Sequence, residues 1–120
     1  MTREITFMEA ATEALAEEMR RDEKVFHMST DAPFPLVEEF GESRVRATPI
    51  AESAVTGMAI GAASSGFRPI VDWRQGTFAF VAMDQIVNQA AKILYMFGGQ
   101  AQFPIMYRAS VGGGGRVAAQ

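Results

Sequence analysis

The 120 residues contain no cysteine and only one histidine, His27. Without cysteine the chain has no disulfide, no thiolate metal ligand and no cysteine nucleophile, a usage compatible with a reducing compartment. Basic residues are in deficit, 11 Lys and Arg against 14 Asp and Glu, so there is no net cationic field to attract nucleic acid. No apolar run approaches the ~18 residues of a spanning helix. Thr2-Arg3-Glu4 followed by an amphipathic stretch is not a signal peptide, so no targeting segment is seen. The expectation is a soluble intracellular chain with neither a nucleic-acid nor a membrane partner. Apolar residues at 48% and charged residues at 21% exclude the disordered and fibrous classes.

Charge is unevenly spread. Residues 1–42 hold eleven acids and four bases, whereas residues 43–120 hold seven bases and only three acids, Glu52, Asp72 and Asp84. The acidic part reads as a solvated helix face. Met8, Ala11, Leu15 and Met19 recur at helical spacing over residues 6–22, with Thr6 and Glu9 spaced as a capping box. Residues 25–28 read as a buried strand and 31–35, with two prolines, as irregular chain. A short helix over 36–40 closes at Gly41. A strand over 45–48 leads into a helix over 51–65, in which Gly57 and Gly61 would let it approach a sheet closely. Residues 68–73 read as a third strand, 83–97 as a helix, 103–107 as a fourth strand and 109–120 as a loop. Alternating helix and strand predicts an α/β chain, a mostly parallel sheet whose ligands bind beyond the carboxyl ends of the strands.

Several features carry no chemistry on this reading. The four glycines 112–115 lack the Lys-Ser/Thr pair of a phosphate loop, and Gly57, Gly61 and Gly66 do not make a dinucleotide fingerprint. His27, in a predicted strand with no carboxylate or hydroxyl partner evident, reads as a core or strand-end residue. The eight methionines mostly fall on helical apolar faces, as core filler. Glu52 stands apart. It follows a strand, begins a helix at the sheet's carboxyl edge, and has Ile50, Ala51, Ala54 and Val55 as neighbours. It is one residue out of place for a capping box with Thr48. A carboxyl group in apolar surroundings can exchange a proton with a bound base near neutral pH.

Five separated stretches carry a resemblance: Arg46-Ala-Thr-Pro-Ile-Ala-Glu52, Gly57-Met-Ala-Ile-Gly-Ala-Ala63, Gly66-Phe-Arg-Pro-Ile70, Ala82-Met-Asp-Gln-Ile-Val-Asn-Gln-Ala-Ala-Lys92 and Gly98-Gly-Gln-Ala-Gln-Phe-Pro-Ile105, followed by Gly115-Arg-Val-Ala-Ala-Gln120. In order, they resemble the pyrimidine-binding domain of the beta subunit of thiamine diphosphate-dependent 2-oxo acid dehydrogenases, a transketolase-like family, with pyruvate dehydrogenase as the nearest type and the acetoin and branched-chain enzymes as relatives. The resemblance implies a three-layer fold with helices on both faces of the sheet. It implies that Glu52 hydrogen-bonds the aminopyrimidine ring nitrogen of thiamine diphosphate, favouring the imino tautomer that makes the thiazolium carbon nucleophilic. Phe78 would pack on the pyrimidine face, and Arg74 would stand beside the cofactor. Asp84 and Gln85 fall in a motif at a subunit interface, and Gly57 and Gly61 suit a helix packed closely where subunits meet.

Further implications concern partners and reaction: an alpha subunit that binds the diphosphate and its magnesium, a second beta subunit in a heterotetramer, and a lipoyl acyltransferase that accepts the acyl group after oxidative decarboxylation. Compartments compatible with this are a bacterial cytoplasm or an organelle matrix. A non-catalytic assembly module of the same fold is the alternative. Three departures stand out. Arg74 replaces a usually uncharged residue, residues 31–35 form a shorter segment than usual, and the sequence ends at Gln120, directly before the family's catalytic histidine. Residues 1–120 are thus expected to be the N-terminal part of a longer domain, inactive alone.

Overall fold

The computed structural model describes residues 3–112. Helix α1 (Phe7–Arg21) starts at the capping box read from the sequence: Thr6 accepts from the Glu9 backbone, and the Glu9 side chain accepts from the Thr6 N–H at 2.7 Å. Its buried residues Leu15, Ala16 and Met19 lie at helical spacing. Strand β1 (Val25–Ser29) follows, then α2 (Phe34–Phe40), β2 (Val45–Ala47), α3 (Glu52–Ser64) and β3 (Arg68–Gln75). A 3₁₀ turn (Gly76–Phe80), a π-helical segment (Gln85–Ala90) and α4 (Ala91–Met96) lead to β4 (Met106–Ser110).

Among the described residues the four strands are all parallel, in the order β2-β1-β3-β4. The chain winds outward from β1 to β2, then crosses back over β1 to place β3 on the other side. The carboxyl ends of β1 and β3, where Ser29 faces Asp72, therefore form the topological switch point at which α/β sheets bind ligands. The sheet is covered on both faces, as expected. On one side α1 and α2 bury Leu15, Met19 and Leu36 against Val25, Val45 and Ile70. On the other, Val55 and Ala59 of α3 and Ala82, just past the 3₁₀ turn, pack against Met28, Val71 and Trp73. The Arg44 guanidinium ties α1 to the sheet by donating to the carbonyls of Met19, Asp22 and Val25 at 2.7–2.8 Å.

Five expectations need correction. Phe34 and Pro35 are helical, because a proline in the first turn of a helix loses no intrahelical hydrogen bond. The fourth strand begins at Met106 and not Phe103: Pro104 is the centre of a tight turn in which the Ile105 N–H donates to the Phe103 carbonyl at 2.8 Å. Ala109 and Ser110 accordingly belong to that strand and not to the terminal loop, of which residues 113–120 lie outside the described residues. The predicted helix over 83–97 is divided between the π-helical segment and α4. Finally, Gly57 and Gly61 do not face the sheet. Val55, Ala59 and Ala63 do, and a Cβ added at either glycine would meet nothing within 4 Å among the described residues.

Candidate functional site

Glu52 is the first residue of α3, reached from β2 through Thr48 and Pro49. Ala51 caps the helix without a side-chain hydrogen bond, and an acid in the first turn suits the helix dipole. Ser53, next in the turn, donates its hydroxyl to the Val81 carbonyl at 2.6 Å and so fixes the start of α3 against the end of the 3₁₀ turn. The hollow beside Glu52 is walled by Thr30, Pro49, Val55, Asp72 and Trp73. Its surroundings are mixed and not wholly apolar. Ile50 turns outward at 81% exposure, while Asp72 brings a second carboxylate to the walls. Within this chain the hollow offers about 10 Å³ to the centres of water molecules, room for a single water. A ring would lie over it and not inside it.

Trp73 is a wall to which the sequence reading assigned no role of its own. It is buried, lies flat on Tyr107 with ring centres 4.9 Å apart, and donates its indole N–H to Thr56 at 3.3 Å. An aromatic residue at the carboxyl end of a central strand was the available signal. Phe78, on the 3₁₀ turn, is half-buried and packs against the cluster holding Val55 and Trp73. It does not line the hollow.

Arg74 opens elsewhere. Its backbone is left-handed (φ 65°), with the N–H donating to Asp72 Oδ1 at 2.8 Å, and its guanidinium pairs with Asp31. That pair lies at a second cleft, on the α1 face of the sheet, which meets the Glu52 hollow only at Asp72. Beneath this cleft His27 is almost fully buried, with Nε2 4.0 Å from Asp72 Oδ2 and neither ring nitrogen hydrogen-bonded among the described residues. The carboxylate neighbour not evident in the sequence is thus Asp72, brought alongside by strand pairing. Burial holds the His27 imidazole below its ordinary pKa; Asp72 acts against this and Arg108 with it. Arg108 itself pairs with Asp72 at 3.3 Å. Among the described residues no group of three or more acids and histidines could hold a metal.

A family model for the pyrimidine binding domain of transketolase matches residues 3–120. The chain belongs to that family. As a transketolase-type pyrimidine-binding domain it is 48% identical over 126 residues to the pyruvate dehydrogenase E1 component subunit beta of Rickettsia bellii, a match covering 98% of this chain and 39% of that protein. The acetoin:2,6-dichlorophenolindophenol oxidoreductase subunit beta of Bacillus subtilis is 40% identical, over 100% of this chain and 41% of its own. The 2-oxoisovalerate dehydrogenase subunit beta of Bacillus subtilis is 41% identical, over 92% and 36%. The chain thus spans about 39% of the length of the relative with which it shares 48% identity.

The donor set of this pyrimidine-binding domain fits one edge of an aminopyrimidine. Glu52 can give or accept a proton at a ring nitrogen, Trp73 and Pro49 offer apolar surface, and Thr30 and Thr48 offer hydroxyls. No helix among the described residues is long and apolar enough to cross a membrane.

Proposed function

We propose that this chain supplies the pyrimidine half of a thiamine diphosphate site in the beta subunit of a 2-oxo acid dehydrogenase, of the pyruvate dehydrogenase type. The observation that carries the reading is Glu52, an acid at the first turn of α3 beside the sheet's topological switch point. The bound cofactor supplies the electron sink for decarboxylation. Glu52 supplies a proton held at the edge of the pyrimidine ring, and Trp73 and Pro49 keep bulk water from one side of that contact. Phe78 packs on the ring face when an alpha subunit closes the site, where offset stacking contributes about 0.5–1.5 kcal/mol beyond area burial. Arg74 lines the cleft on the α1 face and not this hollow.

The small hollow also supports a shared site. With space for one water, this chain encloses no cofactor alone, in keeping with an alpha subunit that holds the diphosphate and magnesium. A second beta subunit and a lipoyl acyltransferase complete the proposed assembly. The 48% identity to a pyruvate enzyme favours pyruvate as the reference substrate over the acetoin and branched-chain types.

The test is Glu52→Gln in the intact protein assembled with its alpha partner, assayed for 2-oxo acid-dependent dye reduction. Glutamine keeps the reach and loses the proton, so thiamine diphosphate should still bind while the rate falls about 10²–10⁴-fold, the usual worth of a positioned acid or base. An undiminished rate would leave a non-catalytic assembly module as the better reading.

A further inference from the structure

We propose that Ser53 is a positioning residue: its hydroxyl ties the first turn of α3, which carries Glu52, to the 3₁₀ turn that carries Phe78, and so fixes the two relative to each other. The inference rests on the thiamine diphosphate reading and adds to it a residue that acts through its neighbours.

Ser64 and Ser65, at the far end of α3, behave as helical serines do. Both donate to the Gly61 carbonyl of their own helix, at 2.7 and 3.1 Å. Ser53 does not turn back on its helix. It donates at 2.6 Å to the Val81 carbonyl, 28 residues further along the chain. Val81 closes the 3₁₀ turn, and its N–H donates to the Phe78 carbonyl at 3.1 Å. Two hydrogen bonds through the single residue Val81 thus run from the neighbour of Glu52 to Phe78. The side chain of Val81 does not anchor this point by packing, because Val81 is 58% exposed. The other end of the turn is held separately. Arg74, just before it, has a left-handed backbone (φ 65°), and the Asp72 carboxylate accepts its N–H at 2.8 Å. With that end fixed at β3, the Ser53 bond decides how the turn lies against α3.

Fixed geometry matters here because a proton is exchanged only across hydrogen-bond reach, about 2.6–3.2 Å between heavy atoms. Glu52 makes no hydrogen bond or ion pair among the described residues, so the backbone of the first turn sets where its carboxyl stands. Phe78 would set the plane of a pyrimidine and Glu52 the edge at which it is held. The two serve one ring only at a constant separation. A misplacement of about 1 Å can cost about 10²-fold in rate, so one neutral hydrogen bond that prevents part of it is worth keeping.

The experiment compares Ser53→Ala, which removes the hydroxyl, with Ser53→Thr, which keeps it, in the intact protein assembled with its alpha partner. In the cofactor-free assembly, hydrogen–deuterium exchange of the peptide spanning residues 76–82 is followed by mass spectrometry. Exchange should be about threefold to tenfold faster in Ser53→Ala, the worth of one net hydrogen bond, and natural in Ser53→Thr. In the holoenzyme, 2-oxo acid-dependent dye reduction at saturating cofactor should fall about tenfold in Ser53→Ala and recover in Ser53→Thr. Introduced into Glu52→Gln, Ser53→Ala should cost little more, because a residue that acts through Glu52 then has no acid left to position. Natural exchange in Ser53→Ala, failure of threonine to restore the rate, or the same tenfold loss in both backgrounds overturns the proposal. A slow Glu52→Gln beside a Ser53→Ala of natural rate overturns this inference alone. An undiminished rate in Glu52→Gln overturns the thiamine diphosphate reading, and this inference with it.

Discussion

Glu52 and Asp72 approach one hollow from α3 and β3, and the difference between them lies in what each already holds. Asp72 accepts from the Arg74 backbone, pairs with Arg108 and faces His27, whereas Glu52 caps nothing and pairs with nothing described. An acid meant to exchange a proton with a ligand must be free of competing cations, and of the two only Glu52 is. His27 makes the opposite case, a titratable group kept neutral by burial. An unfolded imidazole takes up a proton near pH ~6.5, while the folded one does so only at lower pH. Between those values the unfolded state binds more protons, so stability is full above about pH 6.5 and fades as the pH falls through the folded value. In His27→Leu, urea unfolding of the intact protein at about pH 7.5 and about pH 5.5 should show a smaller loss on acidification than the natural protein. An unchanged pH dependence would mean that His27 does not stay neutral when the protein folds. At this scale the position of Glu52, opening a helix at the sheet's carboxyl edge, was legible from the strand and prolyl turn before it, while the grouping of His27, Asp72 and Arg108 was not. Their pairing spans three strands, and sequence spacing carries no register between strands.

Among the elements, α1 was legible to its cap because the capping box, apolar spacing and terminal charges all agree. The fourth strand was displaced for a contrary reason. Arg108 and Ser110 look like loop residues, but they face the polar cleft at the sheet's edge, so the usual apolar signature ends early. The segment after β3 misled differently. Its periodic apolar residues imply a buried face, yet Val87, Leu94, Met96 and Phe97 are all exposed. Asp84, Asn88 and Lys92 link their side chains along the opposite positions at 2.6–2.7 Å. In α3 a related feature recurs: a Cβ added at Gly61 would meet nothing within 4 Å among the described residues, and Met58 of the same helix is exposed. If a neighbouring subunit packs there, Gly61→Leu should leave far-UV circular dichroism unchanged, yet lower the mass of the assembly formed with the alpha partner in sedimentation. Unaltered assembly would show that the glycines serve no subunit contact.

For the whole molecule, the parallel order β2-β1-β3-β4 brings the ends of β1 and β3 together and sets one hollow on each side of that junction. One side presents Glu52 and an aromatic wall; the other presents Arg74 and a roomier polar cleft. Composition and alternation led to an α/β sheet with ligands at its carboxyl edge. They did not reveal two hollows, because the division depends on how the last residues of β3 are placed: Trp73 packs on the α3 side, Arg74 lines the α1-side cleft and Asp72 lines both. Under the proposed function, Glu52 governs activation of the cofactor's thiazolium carbon through the pyrimidine. The most direct measurement is the rate at which that carbon exchanges its proton for deuterium in the assembled holoenzyme, followed by acid quench and proton NMR. Glu52→Gln should slow exchange at least about a hundredfold while the cofactor remains bound. Exchange as fast in the variant as in the natural protein would contradict the account.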